Sequence, residues 1–425
     1  MKKYFQKILQ HQFIRQFLTL FTGTVIAQLI VLGITPFLTR IYAESFFGIL
    51  TLFTSVIATL KILVTLRYEI TLLLPKRDKD AINLLILNII VITIMSLIIL
   101  LITILLKNSI NNLFEDGGLN NFVYLIAPGV FSLGLIDSFT YWNNRFQNYD
   151  KISYSRINKS VSGSVAQILI GYSEINFIGL IPGMLIGQFI SLFYFLRASY
   201  RNIKTLTKFI SLSRMMFLLK KYKDIPKYNT LISLANTFSS QMPGFLLPNL
   251  YGLTLTGYYG LSNRIVGTPF GLILQSFGQV FYKKLSDTYN NKRDEFYSLV
   301  KKTYKNLLYM SLLLSSVIFV ATYFFEFFFG EGWVEAGKYS RILLPALFIS
   351  VLNSPISSII VVLNKQKIML VYDLLLLSGR FLSIFSGFYF FKSIVMSLIL
   401  FSVTGVCFNI VLVFIFLSTA KKVTN

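Results

Sequence analysis

Long runs of apolar residues follow one another along the whole chain, and short polar segments separate them. A helix needs about 20 apolar residues to cross a hydrocarbon core roughly 30 Å thick. The pattern contains twelve such runs and therefore predicts an all-α integral membrane protein with about twelve transmembrane helices. The predicted spans are residues 17–38, 46–66, 81–106, 122–141, 153–172, 177–195, 228–250, 258–281, 307–329, 342–363, 368–390 and 394–417.

A basic connection divides the predicted helices into six and six. Residues 197–227 carry nine Lys and Arg residues against one acidic residue, Asp224. The sequence therefore predicts three parts, which are an N-terminal six-helix lobe (1–197), a basic cytoplasmic connection (198–227) and a C-terminal six-helix lobe (228–425).

A short internal repeat supports the two lobes. A proline, a glycine twelve residues later and two polar positions recur at an offset of 212 residues. The copies are six helices apart, which is an even number of membrane crossings. Both lobes would therefore have the same topology and be related by an axis along the membrane normal. The aligned pairs are Pro36 and Pro248, Gly48 and Gly260, Thr24 and Asn236, and Gln28 and Ser240.

Composition agrees with a lipid environment, because 55% of the 425 residues are apolar and only 13% are charged. The net charge of +23 would also suit nucleic-acid binding, so the positions of the 40 Lys and Arg residues decide between the two. With the N-terminus in the cytoplasm, 31 of them fall on cytoplasmic segments, five outside and four within spans; this count places Arg156 with the cytoplasmic residues. The surplus therefore indicates that both termini are cytoplasmic and that anionic lipid headgroups, not nucleic acid, are the partner.

Charged side chains deep in a bilayer are costly unless they face protein or water, so the few within the predicted spans are informative. The cations outnumber the acidic residues, which predicts a cationic lumen that accepts an anion. Interhelical salt bridges are the alternative interpretation. Asp373 and Arg380 are seven residues apart, roughly 10 Å along a helix, so we expect each to have another partner. The cations are Lys61, Lys159, Arg264 and Arg380, and the acidic residues are Asp137 and Asp373.

Uncharged polar side chains recur at three- and four-residue spacing in several predicted helices, which places them on one helix face. Such stripes predict the lining of an aqueous cavity. They comprise Thr24 and Gln28 on helix one, Asn229, Ser233, Asn236 and Ser240 on helix seven, and Thr268 and Gln275, beside Arg264, on helix eight.

Glycines at four-residue spacing permit close contact between helices. The first set is Gly179, Gly183 and Gly187, and the second is Gly267 and Gly271. We expect both sets to serve packing within a lobe.

The sequence lacks a phosphate-binding Gly-Lys-Ser loop, a metal-spaced His or Cys set and a nucleophile elbow. Its one cysteine, Cys407, excludes an internal disulfide. We therefore expect no cofactor and no metal site, and transport driven by a gradient or by substrate turnover. Asp137 and Asp373 are the candidates for coupling to protons or sodium ions.

Several short motifs in a fixed order resemble the bacterial oligosaccharide flippase family of O-antigen and polysaccharide repeat units, in the multidrug/oligosaccharidyl-lipid/polysaccharide exporter superfamily. The motifs extend from predicted helix one to predicted helix ten. They are PFLTRIY at 36–42, FFG at 46–48, LRYE at 66–69, LPK at 74–76, YWNNR at 141–145, GYYGLSNR at 257–264, QVFY at 279–282 and FGEGW at 329–333.

The resemblance implies a V-shaped, MATE-like pair of six-helix lobes around a cationic cavity. It implies a transporter that is not an enzyme and that turns polyprenyl-diphosphate-linked oligosaccharides across the bacterial inner membrane by alternating access, for surface polysaccharide or lipopolysaccharide biosynthesis. A polysaccharide polymerase and a chain-length regulator are candidate partners.

The resemblance also suggests roles for individual residues. In the related lipid II flippases cationic residues near helices two and eight are important, and Lys61 and Arg264 are the nearest positions in this sequence. Lys159 and Arg380 are further candidates for diphosphate binding. The sugars would contact the polar stripes of helices one, seven and eight.

Two alternatives remain at this point. A multidrug exporter of the same superfamily would share the fold, but an acidic cavity would suit its organic cations better. A membrane glycan polymerase would usually carry a large extracytoplasmic loop, whereas the longest predicted outside connection, 107–121, has about fifteen residues.

Overall fold

A computed structural model describes residues 2–112, 122–173, 179–291, 293–353, 359 and 366–424. Twelve long helices lie within these ranges. They are α1 (Lys2–Ile41), α2 (Glu44–Thr65), α3 (Asp78–Leu105), α4 (Ile126–Arg145), α5 (Tyr149–Gly171), α6 (Leu180–Leu206), α7 (Asp224–Tyr251), α8 (Leu253–Asn291), α9 (Phe296–Ala321), α10 (Val334–Ser350), α11 (Gln366–Phe391) and α12 (Ile394–Thr424).

Apolar length alone accounts for eight of these helices. Within the described ranges, α1 to α4, α6, α9, α11 and α12 are long and apolar enough to cross a membrane. The other four are α5, α7 and α8, which carry several of the predicted polar positions, and α10, which has 17 residues. The prediction of a multi-pass, all-helical membrane protein is confirmed, and the polar helices are those that a protein interior or an aqueous cavity must accommodate.

Several helix bounds differ from the prediction, and one further helix was not predicted; for example, α9 begins at Phe296, eleven residues before the predicted start at 307. The tenth helix begins at Val334, eight residues before the predicted start at 342, and a 3-10 turn, Val351–Asn353, follows it. A short helix, Leu212–Lys221, lies inside the predicted basic connection. Its lysines lowered the apolar content of this segment, so the hydrophobic pattern did not indicate a helix there.

The chain forms two compact units. The first unit comprises residues 1–42 and 52–234, and the second comprises 43–51 and 235–425. The first unit therefore includes the basic connection, and the start of α2 belongs to the second unit. The sequence division at 197 and 228 did not anticipate either detail, because contacts between helices distant in sequence decide them.

Glycines allow the start of α2 to pack within the second unit. A Cβ added at Gly48 would overlap the carbonyl of Leu253, and one added at Gly257 would overlap the carbonyl of Glu44. Phe47 then lies with its ring centroid 4.8 Å from that of Trp333. Absence of a side chain at these two glycines lets the backbones of α2 and α8 touch.

Helices α5 and α6 of the first unit pack through the first glycine set. A Cβ added at Gly183 would lie 2.6 Å from the backbone nitrogen of Gln167, and one added at Gly187 would lie 2.5 Å from the carbonyl oxygen of Lys159. The expected close packing is thus confirmed at Gly183 and Gly187. It is wrong for the second set among the described residues, because an added Cβ at Gly271 meets nothing within 4 Å and one at Gly267 meets only Asn263 of the same helix.

Candidate functional site

Lys61 of α2 forms an ion pair inside the first unit. Its Nζ lies 2.7 Å from Oδ2 of Asp137 on α4, and the two side chains are 25% and 30% exposed. Both residues were predicted as functional groups in the membrane, Lys61 for diphosphate and Asp137 for ion coupling. The structure brings the two together, as the salt-bridge interpretation anticipated, so Asp137 acts as the internal counter-ion of Lys61.

A second ion pair lies just beyond the end of α2. The backbone of Leu66 and Arg67 is left-handed, with φ of 48° and 56°, and it turns the chain into a 3-10 helix, Tyr68–Leu73. Arg67 Nη1 then donates to Oε1 of Glu69 at 3.1 Å. The Glu69 side chain is completely buried, and its burial raises the pKa of this carboxyl, although the charge of Arg67 opposes the shift.

Helix α5 adds two cations to the same region. Arg156 donates from Nη1 to the hydroxyl of Thr24 on α1. Lys159, three residues later, has no hydrogen-bond or ion-pair partner for its Nζ among the described residues. Asp137 is the acidic group whose charge acts on both Arg156 and Lys159.

These residues form one group, which we call the first-unit charge cluster. Asp137 links its members across α2, α4, α5 and the 3-10 turn, because its charge acts on Glu69, Arg156 and Lys159 and it forms the ion pair with Lys61. Four cations face two carboxylates. Since Lys61 and Arg67 are paired with the carboxylates, the surplus positive charge lies on α5. The members are Lys61, Arg67, Glu69, Asp137, Arg156 and Lys159.

The sequence analysis missed Arg156 as a member of this group because it counted the residue with the cytoplasmic segments. Arg156 nevertheless lies within the predicted span 153–172, and in the structure it lies two turns after the start of α5 at Tyr149. The spacing of three residues to Lys159, which places both on one helix face, was the available signal.

Arg264, on α8, is the cation of the second unit that was predicted, like Lys61, to bind the diphosphate. Its side chain is half-buried, and its guanidinium has no ion-pair or hydrogen-bond partner in the described part of the chain. Its backbone carbonyl accepts a hydrogen bond from the Thr268 hydroxyl at 2.5 Å. A guanidinium held in a membrane helix without a partner is ready to bind an anion.

Asp373 and Arg380 of α11 do not pair with each other, as their spacing predicted. Asn236 of α7 donates from Nδ2 to Oδ1 of Asp373 at 3.2 Å, and Oδ2 of this buried carboxyl has no hydrogen-bond partner in the described part of the chain. Arg380 donates from Nη1 to the Ser239 hydroxyl at 3.2 Å and lies 4.8 Å from the ring centroid of Phe401. Arg380 is therefore partly held by its neighbours, although its buried Nε has no hydrogen-bond partner among the described residues.

The predicted sugar-contacting residues have different environments. Thr24 is bound to Arg156, Thr268 donates to the backbone of its own helix, and Ser240 donates to the Thr237 carbonyl at 2.9 Å. Gln28, Asn229 and Ser233 are half-buried in the first unit. The side chain of Gln275 lies outside the described residues. The stripe on helix seven is divided between the units, with 229 and 233 in the first and 236 and 240 in the second.

A search of the described residues found no group of three or more His, Cys, Asp or Glu side chains able to hold a metal ion. In the first-unit charge cluster, cations instead outnumber carboxylates. Its chemistry suits reversible binding of an anionic group.

Comparisons with known proteins place this geometry in context. A family model described as polysaccharide biosynthesis protein matches residues 37–338. No curated protein matches the chain significantly.

Solved structures share the fold at low sequence identity. An inward-facing multidrug resistance MATE family transporter of the MOP superfamily superimposes with a TM-score of 0.68 at 16% identity, over 95% of both chains. The lipid II flippase MurJ in an inward closed conformation gives a TM-score of 0.68 at 15% identity, over 97% of this chain and 90% of that chain. A MOP superfamily transporter from Pyrococcus furiosus, described as having a binding pocket of reverse polarity, gives 0.61 at 13% identity, over 97% and 96%. The fold of the chain is thus that of these membrane transporters.

Proposed function

The chain belongs to the polysaccharide biosynthesis protein family, and we propose that it is a flippase for polyprenyl-diphosphate-linked oligosaccharides in the bacterial cytoplasmic membrane. The observation that carries this proposal is a pair of cations in membrane helices, Lys159 and Arg264, that have no partner among the residues that the structure describes. A charged group in a membrane protein is retained at a considerable energetic cost, so an unpaired one is by default a functional group. A diphosphate supplies the missing negative charge.

The diphosphate would bind cations in each unit during the transport cycle. In the first unit it contacts Lys159 and competes with Asp137 for Lys61. In the second unit it contacts Arg264, whose planar guanidinium matches two phosphate oxygens at once. Because Asp137 neutralises Lys61 in the absence of substrate, Lys61 never remains as an isolated charge in the membrane.

The uncharged parts of the substrate need other contacts. Amide and hydroxyl groups of Gln28, Asn229 and Ser233 are available for sugar hydroxyls, while the polyprenyl chain stays in the bilayer. Thr24 and Thr268 support the cations Arg156 and Arg264 in this proposal, and Arg380 has a structural role.

Asp373 is the stronger candidate for ion coupling. Its Oδ2 is buried without a hydrogen-bond partner, so a proton or a small cation would relieve the unsatisfied charge. Asp137 couples less directly, because binding of a proton there would release Lys61 to the substrate.

The charge of the site also separates the flippase from a multidrug exporter of the same fold. An exporter of organic cations needs acidic groups that are free to bind them, whereas both acids of the first-unit charge cluster are paired with cations. Transport of organic cations by the purified protein in vesicles would therefore contradict the proposal.

The function can be tested in cells that depend on the protein for surface polysaccharide. Deletion should cause lipid-linked repeat units to accumulate on the cytoplasmic leaflet, because flipping precedes polymerisation. An Arg264→Glu variant that is expressed and inserted should give the same accumulation, whereas Lys422→Glu, at the end of α12, should export normally. Accumulation of unpolymerised units on the outer leaflet would point to a polymerase and overturn the proposal.

A further inference from the structure

The segment between α6 and α7 is firmly docked on the first unit, even though it carries many charges. The Asn83 amide group of α3 donates to the carbonyl of Phe209 at 2.9 Å and accepts from the backbone nitrogen of Ser211 at 2.8 Å. Arg214 forms two hydrogen bonds with Asp80, at 2.8 and 3.0 Å. We call residues 204–227, which contain the helix Leu212–Lys221, the connecting segment. These contacts fix which of its faces points away from the protein.

The face that points away from the first unit contains large apolar side chains. Met215 and Leu218 fill the docking face and are buried, whereas Leu212 is 74% exposed and Met216 and Phe217 are about half exposed. Two further apolar residues just before the helix, Phe209 and Ile210, are also exposed. An exposed apolar row of this kind is unfavourable in water and calls for a covering surface.

The same segment is strongly basic on its exposed side. Asp224 is its one acidic residue. Apolar and cationic side chains side by side are typical of helices that lie in a membrane interface. The exposed lysines are Lys204, Lys208, Lys220, Lys221, Lys223 and Lys227.

The position of the segment in the chain keeps it close to the bilayer. It joins two membrane helices, α6 and α7, and it rests on the first turns of α3. The apolar row is thus presented at the level where headgroups meet acyl chains. A lipid surface is continuous along such a row, and its anionic headgroups match the lysines.

We propose that the connecting segment is a membrane-surface anchor, which binds anionic phospholipid headgroups through its exposed lysines and inserts Leu212 and Met216 into the bilayer. Its role is to hold the first unit at a fixed depth in the bilayer. This inference does not depend on which substrate the protein carries.

The test uses spin labels on the full-length protein, in a Cys407→Ser background that removes the native thiol. A label at Met216→Cys reports on the proposed inserted face. A label at Asp224→Cys, at the start of α7, is the control, because Asp224 is exposed and acidic and so does not belong to the proposed inserted face. Collision with oxygen, which concentrates in lipid, is compared with collision with a water-soluble nickel complex, in vesicles of phosphatidylcholine with and without phosphatidylglycerol.

In vesicles with phosphatidylglycerol we expect the Met216 label to collide mainly with oxygen and the Asp224 label mainly with nickel. Phosphatidylglycerol should shield the Met216 label from the nickel complex. A variant that carries both Lys220→Gln and Lys221→Gln should reduce this shielding by about fivefold for each lysine removed. The same change at Lys421 and Lys422, at the end of α12, should leave this label unaffected.

Equal nickel accessibility of the two labels in anionic vesicles would overturn the proposal. Shielding of the Met216 label only after addition of an acidic protein or of nucleic acid would also overturn it, because a soluble partner would then cover this face. Shielding that is independent of phosphatidylglycerol would refute the role of the lysines.

Discussion

Among the described residues, each unit contains an unpartnered cation, Lys159 or Arg264, but the two units hold their other cations in different ways. In the first unit, Lys61 and Arg67 are each bound to a carboxylate, and the whole cluster spreads over three helices and a turn. In the second unit, Arg264 has no partner in the described residues, and Arg380 is held by a hydroxyl and an aromatic ring without any carboxylate. The comparison indicates that stability and ligand binding depend on different cations. A paired cation contributes to folding, whereas an unpartnered one is available to an anion.

Breaking the Lys61–Asp137 pair should give the largest effect on stability. Asp137→Asn leaves Lys61 without its counter-ion and should lower the free energy of unfolding by about 3 kcal/mol, the low end for a buried pair, since both groups are partly exposed. Thermal unfolding in detergent measures the loss. Asp78→Asn, which breaks the more exposed pair with Arg145, should cost less than about 1 kcal/mol. Equal losses of unfolding free energy in Asp137→Asn and Asp78→Asn would show that the Lys61–Asp137 pair stabilises the protein no more than the exposed pair does.

The packing beneath Lys159 provides the next comparison. Gly187→Ala places a Cβ 2.5 Å from the Lys159 carbonyl and should push α6 away from α5, at a cost of about 2 kcal/mol. Gly271→Ala in the second unit adds a Cβ in open space and should be neutral or slightly stabilising, because alanine favours helices. The midpoint of unfolding of both variants measures these effects. An unchanged midpoint for Gly187→Ala would mean that the α5–α6 contact is looser than described.

A third comparison separates the two second-unit arginines. Arg380→Gln loses the hydrogen bond to Ser239 and the contact with Phe401, which together should cost about 1.5 kcal/mol. Arg264→Gln loses no protein partner and should leave stability unchanged while export falls. Stability and export measured on the same preparations test this. A destabilised Arg264→Gln with normal export would reverse the assignment.

The smallest effect concerns pH. Because burial raises the pKa of Glu69, the folded protein holds this proton to a higher pH than the unfolded chain does. The contribution of Glu69 to stability is therefore most favourable at low pH and falls as pH rises from its ordinary pKa through the raised one. Glu69→Gln should flatten that part of the stability profile. An unchanged slope would contradict the raised pKa.

Much of the fold was predictable because a bilayer requires long helices. The hydrophobic pattern gave twelve helices, including α5, α7 and α8, whose polar content exceeds that of an ordinary span. The Leu212–Lys221 helix escaped it, although Leu212, Met215 and Met216 already have helical spacing.

The partners of the charged residues could not be predicted in the same way. Lys61 and Asp137 are far apart in sequence, and their pairing depends on the relative rotation of α2 and α4, which hydrophobicity does not encode. The Arg67–Glu69 pair requires two left-handed residues after α2, and neither Leu66 nor Arg67 is a residue type that favours this conformation. The sequence thus predicted most of the charges in the membrane helices, with the exception of Arg156, but not which of them remain unpaired.

Direct binding of a polyprenyl diphosphate to the purified protein tests the central claim, that unpartnered cations bind the diphosphate. Titration of the wild type and of the Lys159→Gln, Arg264→Gln and Arg380→Gln variants, with a polyprenyl monophosphate as the comparison ligand, gives the affinities. We predict tighter binding of the diphosphate by the wild type, a loss of about tenfold in Lys159→Gln and in Arg264→Gln, and a smaller loss in Arg380→Gln. Equal affinity of the wild type for both lipids, unchanged by Lys159→Gln and Arg264→Gln, would contradict the claim.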